Sequence, residues 1–340
     1  MQTDLPDWAP TLAEHLSAAA GAPARIVGVR PLAGGACQDN FRIDAEVGGA
    51  AQRFALRSDA RSSLPGSISR AAERAVIDLA VASGVPTPAV RAEIADLLRP
   101  GATALLMDWV EGVAIAARVL RDERLAAARS ALPSQLAAAL VAVHRVRPAP
   151  GVLEVPHSAR PGVPAAQAML GFSRATLDTL PEPKPGLELV LRWLAEHPPP
   201  ERAPSLCHGD FRMGNFMVGP EGLAAVVDWE FAHWGSPADD LGWLCVRDWR
   251  FGQNDRAAGG LVPRQAFVDA YVAAGGAPVT AQELEWWEIA GGLRWAAGAH
   301  WQAQRVLQGH EQDLELLAIG RRAAEIEFEA LRRVRRASGG

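Results

Sequence analysis

The chain has 340 residues, 49% of them apolar, and a formal net charge of −5 at pH 7, so it exceeds the size at which one hydrophobic core keeps growing and two lobes are expected. The sequence contains no run of eighteen apolar residues of the kind that would predict a membrane span. It contains no basic patch with interleaved aromatic residues, which would predict nucleic-acid binding, and its N-terminus lacks the pattern of a signal peptide. Its cysteines, Cys37, Cys207 and Cys245, are too few and too scattered for a disulfide framework or a zinc site, and we expect a cytoplasmic protein.

The N-terminal region begins with a helix and continues with strands. Helical spacing of apolar residues predicts the helix at about 9–20. Gly34 and Gly35 then stand between two strand-like runs within 32–43. This arrangement predicts a turn whose backbone amides can approach an anion.

A strand, a helix and a second strand follow in the N-terminal region. In the strand at 54–57, period-two alternation turns Ala55 and Arg57 away from the core and toward a cleft. Apolar residues at helical spacing predict a helix at 69–80, which ends near Gly84. An apolar strand then runs from about position 103 into a polar break, after which the pattern is mainly helical.

The most informative stretch is LCHGDFRMGNFMV, which begins at Leu206 and is followed by VVDWE, which begins eight positions after Val218. It places Asp210, Asn215 and Asp228 in the order and spacing of a phosphoryl-transfer site. Such a site needs one carboxylate to orient and deprotonate the attacking hydroxyl, and an amide oxygen and a second carboxylate to hold Mg²⁺. Strand-like runs around a Gly-Pro-Glu-Gly turn predict a hairpin between Asn215 and Asp228. The alternative is that these polar residues only stabilise turns and a strand end.

This stretch resembles the aminoglycoside phosphotransferase and choline kinase-like enzymes, in which the catalytic loop reads His-Gly-Asp, as His208, Gly209 and Asp210 do here. The segment GSPADDLGW, which begins at Gly235, is similar to the family's segment after the metal-binding aspartate. The resemblance implies an α+β, two-lobed protein kinase-like fold. A small N-lobe would hold an antiparallel sheet and a helix, and a larger C-lobe would be mainly helical.

The resemblance also implies the chemistry. Asp210 would be the catalytic base, with His208 and Arg212 beside it, and Asn215 and Asp228 would hold Mg²⁺. The phosphoryl donor would be ATP or GTP, and the acceptor would be a hydroxyl of a small molecule. The alternative hypothesis is a nucleotide-binding protein of this fold that no longer catalyses.

The 34 lysine and arginine residues include a single lysine, Lys184, which lies in a Pro-rich loop far from the first strands. Kinases of this fold hold the nucleotide phosphates with a lysine on the third strand. Arg57 has the register of that lysine, and its planar fork can bind two phosphate oxygens. Glu73 matches the helix acid that pairs with the strand cation in the family. The alternatives are a solvated Arg57 and an exposed Glu73 that pairs locally with Arg70 or Arg74.

The remaining nucleotide contacts come from the resemblance alone. Three residues, Gly34, Gly35 and Asn40, would cover the phosphates. Ala55 would leave room for adenine, Met107 would lie behind it, and the backbones of Asp108 and Val110 would offer it hydrogen bonds. The implied boundaries are an N-lobe at 1–106, a hinge at 107–112 and a C-lobe at 113–340.

The family builds its acceptor pocket from C-terminal helices, which here include the tryptophan-rich segment 284–301. A cationic aminoglycoside would need a wall of carboxylates, but this segment offers only Glu285 and Glu288. Arg294 and His300 favour an anionic or acyl-bearing acceptor. The pattern is therefore closer to the kinase-like domain attached to some acyl-CoA dehydrogenases than to antibiotic-resistance enzymes, although the tryptophans also fit plain helix packing. Neither the acceptor's identity nor the oligomeric state follows from the sequence.

Overall fold

The computed structural model describes residues 5–32, 38–59 and 63–339. Its N-terminal part contains five strands: β1 (Ala24–Pro31), β2 (Gln38–Val47), β3 (Ala50–Asp59), β4 (Val90–Ala95) and β5 (Thr103–Asp108). They form one antiparallel sheet in the order β1-β2-β3-β5-β4. The predicted glycine turn at Gly34 and Gly35 lies outside the described residues.

Two helices accompany the sheet, α1 (Ala9–Ala20) and α2 (Arg70–Ala82), and both confirm the sequence prediction. Helix α1 packs its apolar face on the sheet, where Leu12 and Leu16 share a core with Ile43. Helix α2 begins after Ser69, whose hydroxyl accepts the Ala72 N–H at 3.2 Å, because such a side chain satisfies one of the free donors of the first turn.

The alternation predicted for β3 is present. Phe54 and Leu56 are buried in the core beneath α1, whereas Ala55 and Arg57 line a cleft on the other face. A strand directs successive side chains to opposite faces, so a single apolar core under the sheet is enough to aim Arg57 into the cleft.

The C-terminal part is mainly helical. Its helices are α3 (Ala116–Arg121), α4 (Ala126–Arg145), α5 (Ala165–Asp178), α6 (Pro185–Glu196), α7 (Pro237–Cys245), α8 (Arg264–Ala273), α9 (Ala281–Leu307), α10 (Leu314–Arg321) and α11 (Ala323–Ala337). Four short strands lie between α6 and α7: β6 (Ser205–Cys207), β7 (Phe216–Gly219), β8 (Gly222–Val226) and β9 (His233–Gly235). Strand β7 pairs with β8 as the predicted hairpin, and β6 pairs with β9.

One helical stretch, Glu123–Arg145, is long and apolar enough to cross a membrane by length and composition alone. Its Leu132, Leu136 and Leu140 are fully buried in the main core of the C-terminal part. The stretch packs against β8 and α8. This is the packing of a core helix, which passes the same test of length and composition.

Helices α7 and α9 lie in close contact and bring distant segments to the cleft. Gly242 makes this possible, since a Cβ at that position would lie 2.7 Å from the backbone of Trp287. Helix α7 carries Asp240 and Trp243, and α9 carries Arg294. Glycine at position 242 therefore allows α7 and α9, which contribute to the same site, to pack this closely.

Candidate active site

A cleft of about 600 Å³ opens between the sheet and the helical part. Residues predicted from the sequence line its centre and its sheet side: Asn40, Ala55, Arg57, Met107, Asp210, Arg212, Asn215 and Asp228. The opposite end is formed by residues of α5, α9 and α10. A groove of about 910 Å³ lies elsewhere, between α5 and α6, and its lining includes none of the predicted site residues that the structure describes.

Asp210 is at the centre of the cleft, and its carboxylate accepts three hydrogen bonds. Oδ1 accepts the Trp243 indole N–H at 2.7 Å and the Arg212 Nε–H at 2.9 Å. Oδ2 accepts the Asn215 Nδ2–H at 2.7 Å. These three donors fix the orientation of the Asp210 carboxylate in the cleft.

The loop that carries Asp210 is held through its backbone. The N–H groups of His208 and Gly209 donate to the two oxygens of Asp240, at 2.8 and 2.9 Å. Gly209 has a φ of +78°, and a Cβ there would lie 2.0 Å from the Phe231 carbonyl oxygen. Glycine is therefore required between the histidine and the aspartate of this loop.

His208 lies beneath the cleft and is fully buried. Its Nε2–H donates to the Val227 carbonyl at 3.1 Å, and its Nδ1 accepts the Asp210 N–H at 3.2 Å. Burial lowers the pKa of His208, and this pair of partners fits the neutral ring. The imidazole joins the loop of Asp210 to the residue before Asp228, which is a positioning role rather than direct contact with a substrate.

The hairpin β7–β8 carries the predicted metal ligands at its two ends. The Nδ2 of Asn215 donates to the carbonyl and the carboxylate of Asp210, at 2.9 and 2.7 Å. These two hydrogen bonds do not use the amide oxygen Oδ1, which is the atom that would bind a metal. Asp228 has a φ of +72°, a conformation that a non-glycine residue adopts rarely and mostly at functional sites. An amide oxygen and a carboxylate are hard oxygen donors, which fits Mg²⁺.

Arg57 joins the sheet to the metal-ligand end of the hairpin. Its guanidinium forms ion pairs with Glu73, at 2.9 Å, and with Asp228. Burial lowers the pKa of Arg57, but Asp228, Glu73 and Glu230 raise it above its usual value. Burial likewise raises the pKa of the Asp228 carboxyl, and Arg57 and Arg212 bring it below its usual value. Both groups are therefore charged, and the solvated-arginine alternative does not describe Arg57.

Glu73 is fully buried and bridges two arginines, Arg57 and Arg70. The local pair with Arg70 that the sequence left as an alternative is therefore present together with the pair to Arg57. Arg70 also contacts Glu230 at 3.7 Å, and Ser67 donates to Glu230 at 3.1 Å. This chain of charges connects α2 to the residues just after Asp228.

Asp240 belongs to a second buried group, with His144 and Cys207, whose potential ligand atoms lie within 4.8 Å of one another. His144 donates from Nε2 to Asp240 at 3.2 Å and accepts from the Tyr271 hydroxyl at 2.7 Å. The Cys207 thiol donates to the Ser236 carbonyl at 3.2 Å. These hydrogen bonds account for the group as internal structure beneath the loop of Asp210.

The predicted hinge begins inside β5. Met107 lines the cleft as expected, but Asp108 and Val110 are not among the residues that line it. The Asp108 N–H donates to the Ala89 carbonyl at 3.0 Å, and its carboxylate pairs with Arg91 at 2.7 Å. A nucleotide base can therefore use at most the carbonyl of Asp108, not its N–H.

The helical end of the cleft contains few carboxylates. Glu288 of α9 points away and pairs with Arg250, Arg264 and Arg333, and Glu285 and His300 are also outside the lining. Arg294 and Trp295 do line this end. Trp286 and Trp287 belong to the buried core, which supports the plain packing interpretation for them. Trp295 also packs against the core, and in addition it lines the cleft.

Two contacts of the site were not predicted from the sequence: Trp243 as a donor to Asp210, and Asp240 as the acceptor that holds its loop. Both residues lie in the segment that begins at Gly235, so the motif included them without assigning their contacts. His157, which also lines the cleft, lies inside a Pro-rich stretch. A histidine among prolines carries no pattern that would have distinguished it.

Comparison with known proteins identifies a family and a fold for this chain. Residues 28–286 match the family model described as phosphotransferase enzyme family, APH. A segment of 64 residues is 38% identical to mouse (Mus musculus) acyl-CoA dehydrogenase family member 10, and it covers 18% of this chain and 6% of that protein. The chain thus matches only a small part of that relative's length.

Solved structures share the fold. A protein from Ralstonia eutropha JMP134 described as an aminoglycoside phosphotransferase aligns with a TM-score of 0.69 and 23% identity, over 96% of this chain and 98% of that one. Aminoglycoside phosphotransferase APH(4)-Ia, in a complex with AMP-PNP and hygromycin B, aligns with a TM-score of 0.60 and 17% identity, over 95% of this chain and 98% of that one. Plasmodium vivax ethanolamine kinase aligns with a TM-score of 0.57 and 11% identity, over 88% of this chain and 82% of that one.

At these identities the structural likeness establishes the kinase-like fold, and the family match adds the class of reaction. The match extends from β1 into α9 and includes every residue of the cleft centre described above. The chain belongs to the phosphotransferase enzyme family and is a phosphotransferase.

Proposed function

We propose that this protein transfers the γ-phosphoryl group of ATP, or of GTP, to a hydroxyl of a small molecule. The observation that carries the proposal is the placement of Asp210 in one cleft with Asn215, Asp228 and Arg57. These four residues supply a base, two oxygen ligands for a metal and a cation for phosphate oxygens.

Each residue has a distinct task. Asp210, held by three donors, accepts the proton of the acceptor hydroxyl as the phosphoryl group is transferred. Arg57 binds phosphate oxygens with its planar fork. Mg²⁺ held by Asn215 and Asp228 would neutralise charge on the transferring phosphoryl group. The acceptor, which we propose to be anionic or acyl-bearing, would occupy the helical end of the cleft.

The nucleotide site is tested by thermal unfolding with ATP and GTP, each with and without Mg²⁺. We expect nucleotide with Mg²⁺ to raise the melting temperature by several degrees, because a ligand at a hundred times its dissociation constant stabilises the folded state by about 2.7 kcal/mol. Asp228→Ala should lose this shift, and Asp255→Ala, at an exposed position, should keep it. No shift for the wild type at millimolar nucleotide would refute the site.

Arg57 is tested separately on nucleotide affinity. We expect Arg57→Ala to raise the dissociation constant of Mg-ATP about tenfold or more, since a charge-assisted hydrogen bond contributes roughly 1.5–3 kcal/mol. Arg57→Lys keeps the charge beside Glu73 and should recover part of the affinity. Arg53→Ala, on the same strand but exposed, is the matched control. Equal dissociation constants for wild type and Arg57→Ala in isothermal titration calorimetry would limit Arg57 to a structural role.

A further inference from the structure

Among the described residues, three arginines line the cleft, and the contacts of one of them differ from those of the others. Arg57 pairs with Glu73 and Asp228, and Arg212 pairs with Asp210. Arg294 has no carboxylate within 4.0 Å among the residues that the structure describes. A half-buried cation without an anionic partner is costly, so the position of Arg294 calls for an explanation.

The contacts of Arg294 hold it beside the catalytic base. Its guanidinium lies over the Trp243 ring, 3.9 Å from the ring centroid, and its Nη2 donates to the Gly209 carbonyl at 2.7 Å. Trp243 and Gly209 are the residues that orient and precede Asp210. A guanidinium has five N–H groups, so most of its donors are left for another molecule in the cleft.

His157 offers a second polar group at the same end of the cleft. Only 4% of its surface is exposed, and its Nδ1 has no hydrogen-bond partner among the described residues. Burial lowers the pKa of His157 well below its usual value, with His233 and Arg294 adding to the effect. His157 is part of the cleft lining, and a buried imidazole nitrogen without a partner calls for an explanation that a ligand at this end of the cleft would supply.

The rest of this end lacks the acids that would favour a cationic ligand. Among the described residues that line it, Glu315 is the single carboxylate beyond the Asp210, Asp228 and Glu230 region, and it is exposed at the start of α10. Phe172 of α5 and Trp295 of α9 provide apolar surface there. Arg294 therefore lies next to an apolar wall, and the one carboxylate of this end is exposed at its rim.

We propose that Arg294 and His157 bind an anionic oxygen group of the acceptor, a carboxylate or a phosphate monoester, and so place its hydroxyl at Asp210. This inference rests on the proposed function and narrows its acceptor to hydroxyl compounds that carry such an anion. Arg294 is then a specificity-determining residue, because it attracts an anionic acceptor and repels an amino alcohol.

The test uses matched compounds on the full chain with Mg-ATP. The probes are ω-hydroxycarboxylates of three to eight carbons, their primary amides, hydroxyalkyl phosphates of the same lengths, and ω-amino alcohols. Binding is followed by tryptophan fluorescence, and transfer is followed by release of nucleoside diphosphate. We expect an anionic probe to bind at least about tenfold more tightly than its amide, in line with a charge-assisted hydrogen bond. Whether the carboxylate or the phosphate series binds more tightly identifies the anion.

Variants decide whether Arg294 is responsible. Arg294→Gln should remove the preference for the anion, Arg294→Lys should retain part of it, and Arg321→Gln, an exposed arginine of α10, should leave it unchanged. The dissociation constant of Mg-ATP should be the same in all of them. Equal binding of anion and amide, a preference for amino alcohols, no binding of any probe, or a loss of Mg-ATP affinity in Arg294→Gln would overturn the inference. Anion binding without any response to Mg-ATP would instead overturn the proposed function and leave this site in place.

Discussion

Replacing Asp210 with asparagine should lower the turnover number for phosphoryl transfer by about 10²–10⁴-fold, the range that a general base contributes. The asparagine amide cannot accept the proton of the acceptor hydroxyl. Its NH₂ group would also face one or more of the donors Arg212, Asn215 and Trp243, which in the wild type donate to a carboxylate oxygen. We expect the dissociation constant of Mg-ATP to change by less than about threefold, because its proposed ligands are other residues. Steady-state kinetics and calorimetry on one preparation measure both quantities.

Asp255→Asn, an exposed substitution of the same type, is the control and should behave as the wild type. Full transfer activity in Asp210→Asn would exclude Asp210 as the base. If the wild type itself transfers phosphate to no hydroxyl compound, hydroxyacyl thioesters included, while it still binds Mg-ATP, the protein is a nucleotide-binding member of the family without catalysis.

Replacing Asp240 with asparagine should lower the free energy of unfolding by about 3 kcal/mol, as expected when a buried charged partner is removed. The Asp240 carboxylate is fully buried and accepts hydrogen bonds from the backbone of His208 and Gly209 and from His144. Asparagine offers one acceptor oxygen, so at least one of these donors is left without a partner. Urea unfolding followed by circular dichroism measures the change, and Asp269→Asn on the exposed face of α8 is the control.

The effect of Asp240→Asn should depend on pH. Burial raises the pKa of Asp240, but His144 and the backbone of His208 lower it from 3.8 to about 2. A carboxyl with a lowered pKa stabilises the folded state above its unfolded-state pKa and loses that contribution as pH falls. The difference in unfolding free energy between wild type and variant should therefore have its largest value at pH 7 and decrease between about pH 4 and pH 2. A difference that stays constant over this range would contradict the assignment.

Local patterns allowed much of the fold to be predicted. The helix at 9–20, the capped start of α2, the alternation in β3 and the hairpin between Asn215 and Asp228 depend on neighbours within a few positions. Each follows from periodicity or turn chemistry. The stretch that begins at Leu206 is likewise short, so its residue types and their spacing could be used to predict a phosphoryl-transfer site.

Contacts between distant segments could not be predicted in the same way. Trp243 donates to Asp210 across 33 positions, and Arg57 reaches Asp228 across 171. For Glu73 the resemblance implied a pair with Arg57 and the local pattern offered a pair with Arg70, and only the packing of α2 shows that the side chain is buried and forms both pairs. Such contacts depend on how α7, α9 and the sheet are placed relative to one another, which no local pattern contains.

The arginine at position 57 also changes how this protein responds to reagents. Acylating nucleotide analogues modify kinases through the nucleophilic amine of a lysine in the cleft, whereas a guanidinium is always protonated and is a poor nucleophile. The single lysine of this chain, Lys184, precedes α6, pairs with Glu182 and does not line the cleft. Amine-directed chemical profiling would therefore not label the proposed nucleotide site even when nucleotide is bound, and the protein would be recorded as inactive because it lacks the reactive amine.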